Sequence, residues 1–195
     1  MASTSPESID LLFHNARTHN GWLDKDVPDA LLRKIYETAK LGPTSTNCNP
    51  ARIIFIKSPE AKAKLLPCLL PGNVEKTKAA PVTAIVAQDL NFVEKLGKLF
   101  PHADAKSWFA GNQPLIESTA FRNSSLQGAY LIIAARAYGL DCGPMSGFNQ
   151  EQLDHTFFAG TSWRSNFICN LGYGDETKLF PRLPRLDFDE ACKIT

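Results

Sequence analysis

The sequence lacks a long apolar run and any marked excess of charge of either sign. The longest run of apolar residues, 129–135, is far shorter than the roughly 20 residues that a membrane-spanning helix requires. Lysine and arginine together number 21, and aspartate and glutamate number 20. The resulting net charge of +1 gives no indication of binding to nucleic acid or to an anionic membrane.

Secretion and metal binding are not indicated either. The first ten residues contain no basic stretch followed by an apolar one, which is the pattern of a secretory signal. The five cysteines include no C-x-x-C pair, which favours reduced thiols and a cytoplasmic location. The four histidines do not stand at zinc-ligand spacings from cysteines or carboxylates, so we expect no metal site.

The common catalytic and nucleotide-binding motifs are also missing. No G-x-G-x-x-G follows a predicted strand, and there is no P-loop, no G-x-S-x-G and no H-E-x-x-H. These absences argue against a Rossmann dinucleotide domain, a P-loop nucleotidase, an α/β-hydrolase and a zinc protease. Cys48 and Cys142 lie in predicted loops without an activating context, and we interpret them as small buried side chains rather than nucleophiles.

Periodicity predicts an α+β domain that spans residues 1–195, with a small sheet and much helix. Helices are predicted from Pro6, Pro28, Ser58 and Asn149, and over residues 113–140. Strands are predicted at residues 51–57, 80–89 and 165–174, and residues 139–148 are predicted to be a loop. Residues 126–140 are apolar on nearly every side, which indicates either a central helix or one that a second subunit also covers.

Short polar segments alternate with these apolar elements. One of them, 42–50, reads GPTSTNCNP and lies between a predicted helix and a predicted strand. The others are 15–20, 72–76, 143–147 and 180–185, and they supply arginines at both ends of the chain. Each segment alone is typical of a turn. Together they offer arginines for a phosphate and amides for the edge of a heterocycle.

In this order, the segments resemble those of the FMN-dependent nitroreductase family, and the resemblance covers nearly the whole chain. Five blocks carry it: Arg17-Thr18-His19-Asn20, Thr44-Ser45-Thr46-Asn47, Asn73 with Lys76, Pro144-Met145-Ser146-Gly147-Phe148, and Gly172-Tyr173 followed by Arg182 and Arg185. The resemblance implies a nitroreductase-like fold with a small central mixed sheet surrounded by helices. It also implies a homodimer that binds FMN at its interface and uses NADH or NADPH.

The resemblance also implies a role for each block. Phosphate binding falls to Arg17, Arg182 and Arg185, and the flavin edge to Asn47, Asn73 and Lys76. Further cofactor contacts are expected from Thr18, His19, Thr44 and Ser45, and from the loop Pro144, Met145, Ser146 and Gly147 beside flavin N5. The cofactor then carries the chemistry, and no side chain is expected to act as a catalytic group.

Within the family, segments such as RNSSLQGAYLI and GLDCGPMSGF are similar to those of malonic semialdehyde reductases of pyrimidine utilisation. That similarity implies reduction of malonic semialdehyde to 3-hydroxypropionate. The chain departs from many family members at Gly21, where a second basic residue is common, and at Ser146, where a glutamate is common. A broad nitro or quinone reductase and a non-catalytic flavin-binding dimer module remain as alternatives.

Overall fold

The structure, a computed structural model, describes residues 4–195. Its α-helices are α1 (Pro6–Ile9), α2 (Asp29–Ala39), α3 (Pro59–Leu65), α4 (Pro71–Ala79), α5 (Leu96–Leu99), α6 (Gln113–Ala137), α7 (Gln150–Phe158) and α8 (Phe188–Ala191). Its strands are β1 (Ala51–Ile56), β2 (Val82–Asp89), β3 (Asp141–Met145) and β4 (Trp163–Gly172). This arrangement confirms the predicted α+β class. None of the helices in residues 4–195 combines the length and the apolar character needed to cross a bilayer.

Side-chain caps start several helices where the sequence predicted them. The hydroxyl of Ser5 accepts from the Ser8 amide at 3.3 Å, and that of Ser58 accepts from the Ala61 amide at 3.2 Å. The side-chain oxygen of Asn149 accepts from the amide of Gln152 at 3.0 Å. Each such cap satisfies a backbone N–H that the helix cannot pair, and contributes about 1 kcal/mol.

The four strands form one sheet in the order β1-β2-β4-β3, and every neighbouring pair is antiparallel. The expectation of a mixed sheet is therefore wrong: the sheet is antiparallel. An isolated parallel bridge outside the four strands joins Thr18 to Cys142. The prediction of a loop at residues 139–148 is wrong for residues 141–145, which form β3. Pro144 lacks an N–H, and this is tolerated because β3 is an edge strand.

Helix α6 packs against the sheet and against α2, and the core lies between them. Alternate residues of β2 point to opposite faces: Val82, Ala84 and Val86 lie on the α6 side, and Ile85 and Ala87 face α3 and α7. Of the two alternatives for residues 126–140, a helix that one protomer buries on every side is not observed, and a helix that a second subunit also covers stays a prediction. Leu126 is 41% exposed, and Phe121, one turn earlier, is 56% exposed.

Residues 72–76, interpreted from the sequence as a polar loop, lie inside α4. Pro71 occupies the first helical position, where a missing N–H costs nothing. The tail from Phe180 onward is extended as predicted, apart from the short α8, and its side chains are exposed. Helix α4 is important for the site because it carries both Asn73 and Lys76.

Candidate functional site

The polar segment at residues 17–20 lies along the free edge of β3. Thr18 forms a parallel bridge with Cys142, and the amide of His19 donates to the Cys142 carbonyl at 3.0 Å. Backbone pairing therefore fixes this segment at one edge of the sheet, beside β3.

The side chain of His19 points into the protein. It is 4% exposed, its Nε2 lies 3.4 Å from Oδ1 of Asp141, and its Nδ1 has no hydrogen-bond partner within residues 4–195. A Cβ at Gly174 would lie 1.9 Å from Nδ1, so this ring requires a glycine there. The other carboxylate oxygen of Asp141 accepts from the Gly174 amide at 2.8 Å. Sequence reasoning missed Asp141 and Gly174, because only the fold brings them to His19.

The start of α4 is tied to the loop after β3. The Gly147 carbonyl accepts from Nδ2 of Asn73 at 2.7 Å and from the amide of Leu70 at 3.0 Å. A Cβ at Gly147 would lie 2.5 Å from the same Nδ2, so a glycine is needed for this approach. The loop residues expected at flavin N5 thus lie directly beside Asn73. Pro144 and Ser146 are exposed, and Met145 accepts a weak hydrogen bond from Thr77 at 3.7 Å.

Lys76 is a partly buried cation without an ion-pair partner in the described residues. Its ammonium donates to Oδ1 of Asn20 at 3.3 Å, and burial lowers the pKa of Lys76. No carboxylate lies within ion-pair distance of its ammonium in residues 4–195. Burial has removed part of the hydration of this cation, and the one side chain that accepts from it is a neutral amide. An electron-rich ligand beside the ammonium would therefore be stabilised by its positive charge.

Arg17 and Arg182, two of the three arginines that were expected to bind a phosphate, join the N-terminal segment to the tail. Arg182 donates through Nη2 to the carbonyl of His14 at 2.6 Å and to that of Ala16 at 3.1 Å. Arg17 donates in the opposite sense, to the carbonyl of Phe180. A guanidinium has five N–H donors, so both retain donors for an anion. Arg185 instead donates to the carbonyls of its own tail, at residues 183 and 184.

The segment Thr44–Asn47 occupies another part of the protomer. The amide of Ser45 donates to Oδ1 of Asn123 on α6 at 2.8 Å, and Nδ2 of Asn47 donates to the Leu99 carbonyl at 2.9 Å. Thr44 Oγ1 accepts from the Asn49 amide at 3.2 Å. These contacts fix the loop between the N-terminal half of α6 and the end of α5.

This loop has an unusual backbone. Thr46, Asn47 and Asn49 have φ angles of +50°, +49° and +41°. Asparagine tolerates this left-handed region, whereas a β-branched threonine does so only under strain. Below the loop, Cys48 is fully buried, and burial raises the pKa of its thiol to about 11. The interpretation of Cys48 and Cys142 as buried side chains is confirmed, since both are 0% exposed.

The fold therefore separates thirteen of the fourteen predicted site residues into two groups, and Arg185, which donates to carbonyls of its own tail, belongs to neither. The loop group, Thr44, Ser45 and Asn47, contacts α6 at Asn123. The segment that precedes Arg17 lies at the other end of α6, where Arg136 donates to the Leu12 carbonyl at 3.0 Å and lines a cavity together with Ala16. Thirteen residues separate Asn123 from Arg136, which is about 20 Å of helix. The edge group contains Arg17, Thr18, His19, Asn73, Lys76, Pro144, Met145, Ser146, Gly147 and Arg182.

Two concavities of the described chain lie outside both groups. A groove of about 1070 Å³ runs between α2 and β1, and residues that line it include Tyr36, Arg52 and Trp163. A cavity of about 500 Å³ beside the edge group is lined by Ala16, Arg136 and Asp141 among others. Neither combines residues of the edge group with residues of the loop group.

Known proteins resemble this chain over its full length. The sequence profile of the Nitroreductase family matches residues 16–173. A Burkholderia lata protein with the provisional name NADH dehydrogenase/NAD(P)H nitroreductase is 63% identical over 194 residues, covering 100% of both chains. A Ralstonia nicotianae protein with the same provisional name is 58% identical over 194 residues, also covering 100% of both chains.

A solved structure shows the same fold at low sequence identity. A provisionally named nitroreductase of Exiguobacterium sibiricum, crystallised in complex with FMN, has a TM-score of 0.85 to this chain at 19% identity. The match covers 100% of both chains. The two chains therefore share their overall fold.

Proposed function

The chain belongs to the nitroreductase family, and we propose that it is an FMN-dependent NAD(P)H oxidoreductase that reduces malonic semialdehyde to 3-hydroxypropionate. The cofactor part of the proposal is supported by the relatives named as NAD(P)H nitroreductases and by FMN in the Exiguobacterium sibiricum structure. The acceptor part is supported by the segments similar to malonic semialdehyde reductases, and it depends on pocket details rather than on the fold.

The observation that carries the proposal is the desolvated ammonium of Lys76 on the same helix as Asn73. Nδ2 of Asn73 is occupied by the Gly147 carbonyl, so its Oδ1 remains as an acceptor for a ring N–H. Lys76 lies one turn further along α4 and has no carboxylate partner in the described residues. An acceptor and a cation side by side match the pyrimidine edge of a flavin, which both donates and accepts hydrogen bonds.

The residues of this chain would bind and orient the cofactor. When bound, FMN supplies a two-electron carrier between NAD(P)H and the acceptor. Lys76 stabilises the reduced form more than the oxidised form, because the reduced form carries more negative charge at that edge. Arg17 and Arg182 hold the phosphate through their remaining N–H donors. The loop Pro144–Gly147 would lie beside the ring, near the flavin N5 that exchanges electrons with the nicotinamide and the acceptor in turn.

A homodimer is part of the proposal, because in a single protomer about 20 Å of α6 separates Asn123, which contacts the loop group, from the end of the helix near Ala16 and Arg17. A second protomer related by a two-fold axis would bring the loop group of one chain to the edge group of the other. The exposed apolar side chains Phe121 and Leu126 support this arrangement, since an interface along α6 would cover them. Thr44, Ser45 and Asn47 would then contact an FMN whose phosphate and pyrimidine edge are held by the partner chain.

The experiment that tests the cofactor and the class is an anaerobic titration followed by absorbance. The purified protein, supplied with FMN, is expected to be yellow, to bleach with NADH or NADPH, and to recover its colour when an acceptor is added. A protein that binds FMN but remains oxidised under excess NADH and NADPH would be the non-catalytic flavin module. A protein that does not take up FMN would contradict both.

A broad nitro or quinone reductase is the second candidate, and the names of the relatives favour it. The kcat/KM values for malonic semialdehyde, nitrofurazone and menadione separate the two. We expect the semialdehyde to have the highest value. If its value were about 100-fold below that of either other acceptor, a difference of about 2.7 kcal/mol in transition-state binding, the semialdehyde proposal would be abandoned.

A further inference from the structure

Trp22 contacts the last turn of α4, although the cofactor proposal assigns it no role. Its indole Nε1 donates to the backbone carbonyl of Lys76 at 3.0 Å. Helix α4 ends at Ala79, so the Lys76 carbonyl is one of the last four, which receive no intrahelical N–H. The indole of Trp22 therefore caps the turn of α4 that carries the Lys76 side chain.

The same short segment also contacts the charged end of Lys76. Asn20, two residues before Trp22, accepts from the Lys76 ammonium at 3.3 Å. Residues 20–22 thus hold Lys76 at its backbone carbonyl and at its Nζ. A lysine has four side-chain torsions, and holding both of its ends leaves few combinations of rotamers that satisfy both contacts.

Trp22 is itself fixed in place. It is 7% exposed and forms an antiparallel bridge with Gly174. Its ring lies so near two glycines of β3 and β4 that a Cβ at Gly143 or Gly172 would come within 3.3 or 3.0 Å of it. Because the indole is fixed against the sheet edge and donates to the Lys76 carbonyl, it fixes the backbone of Lys76 relative to that edge.

We propose that Trp22 is a positioning residue, which holds the Lys76 ammonium at the pyrimidine edge of the flavin and thereby raises the flavin midpoint potential. This inference rests on the proposed function. Without the cap, the last turn of α4 opens more easily and Lys76 reaches solvent in other rotamers. The cation then spends less time at the ligand, and the reduced form loses more stabilisation than the oxidised form.

The test is the flavin midpoint potential of Trp22→Phe, measured by spectroscopic redox titration of the FMN-loaded protein. Phenylalanine keeps an aromatic ring in the cavity and removes the N–H. We expect the preference for reduced over oxidised FMN to fall about three- to tenfold, which is a decrease of about 15–30 mV for a two-electron couple. Trp163→Phe is the matched control, because Trp163 lies at the far end of β4 and packs on Phe158. Its potential should equal that of the wild type.

A double-substitution cycle separates positioning from a purely structural cap. If Trp22 acts through Lys76, then Trp22→Phe should change nothing further in a Lys76→Met background. Asn20→Ala, which leaves the indole in place, should lower the potential in the same direction and should also have no effect beside Lys76→Met. If Trp22→Phe does not fold, Asn20→Ala still tests whether residues 20–22 position Lys76, because it removes their contact with the ammonium.

Each outcome decides between the proposals. If Lys76→Met lowers the potential while Trp22→Phe and Asn20→Ala leave it unchanged, the positioning role is refuted and the proposed function stands. If Trp22→Phe lowers the potential equally in the Lys76→Met background, the effect does not pass through Lys76, and the inference is also refuted. If Lys76→Met itself leaves the potential unchanged, the role of Lys76 in the proposed function fails, and this inference fails with it.

Discussion

A heterodimer with Arg17→Ala in one chain and Asn47→Gly in the other is expected to bind one FMN, whereas either variant homodimer binds almost none. Arg17 belongs to the edge group and Asn47 to the loop group. About 20 Å of α6 separates Asn123, which contacts the loop group, from the end of the helix near Arg17, so we expect each complete site to combine the edge group of one chain with the loop group of the other. One site of this heterodimer then contains both substitutions, and the other contains neither.

The size of each defect follows from the contact that is removed. A charge-assisted contact between Arg17 and the phosphate is worth about 1.5–3 kcal/mol, which weakens FMN binding about ten- to hundredfold. Glycine accepts the φ of +49° at position 47 without strain, so Asn47→Gly removes the amide and leaves the loop conformation accessible. At an FMN concentration a few times the wild-type Kd, the variant sites remain largely empty.

The assay uses two affinity tags and co-expression, so that only the heterodimer passes both purification steps. Its flavin content per dimer, read from absorbance after gel filtration, should be about half that of the wild type. The control places both substitutions on one chain and pairs it with a wild-type chain. That arrangement damages both sites, and its flavin content should be close to zero.

The reverse pattern would refute the shared site. If each FMN were bound within one chain, the control heterodimer would keep one intact site and the first heterodimer would keep none. Failure to recover any heterodimer from the two purification steps would argue against the dimer itself.

Four further predictions follow from individual residues. When every chain carries the substitution, Arg17→Ala should raise the Kd for FMN about ten- to hundredfold and leave the unfolding free energy of the apo protein nearly unchanged; a Kd within twofold of the wild type would remove Arg17 from the site. At pH 8, a thiol reagent should label the exposed Cys192 rapidly and the buried cysteines only after unfolding, and rapid labelling of Cys48 in the folded protein would contradict its burial. Burial raises the pKa of the Cys48 thiol from 9.0 to about 11. The buried neutral thiol therefore contributes its full stability to the fold below pH 9, and this contribution is lost as the pH rises through 11. Between pH 9 and 11, the unfolding free energy of the wild type should therefore fall more steeply than that of Cys48→Ala. If the two unfolding free energies changed with pH in parallel, the pKa of Cys48 would not be raised. Asp89 is 5% exposed and accepts from the guanidinium of Arg52 at 2.6 Å. Asp89→Ala should therefore lower the unfolding free energy, measured in urea, by about 3–5 kcal/mol, because the guanidinium loses its carboxylate partner. A loss below about 1 kcal/mol would show that the ion pair contributes little to stability.

The predicted helices and strands agree best with the structure where local chemistry is sufficient. Ser5, Ser58 and Asn149 cap the helices that were predicted to start there, and the β-branched run at residues 51–56 forms β1. These features depend on neighbours within four residues along the chain, so the sequence alone contains the relevant interactions.

The errors occur where the partner of a segment is distant in sequence. Residues 141–145 contain a glycine and a proline, which disfavour a strand, yet they pair with β4 more than twenty residues later. Residues 72–76 have no apolar spacing of 3.6, so periodicity did not reveal α4, although Pro71 was a usable start signal. The expected mixed sheet is antiparallel because strand direction is decided by how distant strands pack, and local propensity does not specify it.

The sequence by itself determined which residue types are available to a cofactor: arginines at both ends, an Asn-x-x-Lys, a hydroxyl-rich loop and a Pro-x-x-Gly loop. Only the tertiary structure decided which of these lie together. It placed Asn73 against Gly147 and Lys76 against Asn20, turned the His19 ring inward onto Asp141, and left Thr44–Asn47 at the far end of α6. The physical reason is that these contacts join residues 56 to 122 positions apart in the chain. Strand order and the packing of α6 on the sheet bring such residues together, and no local preference encodes that distance.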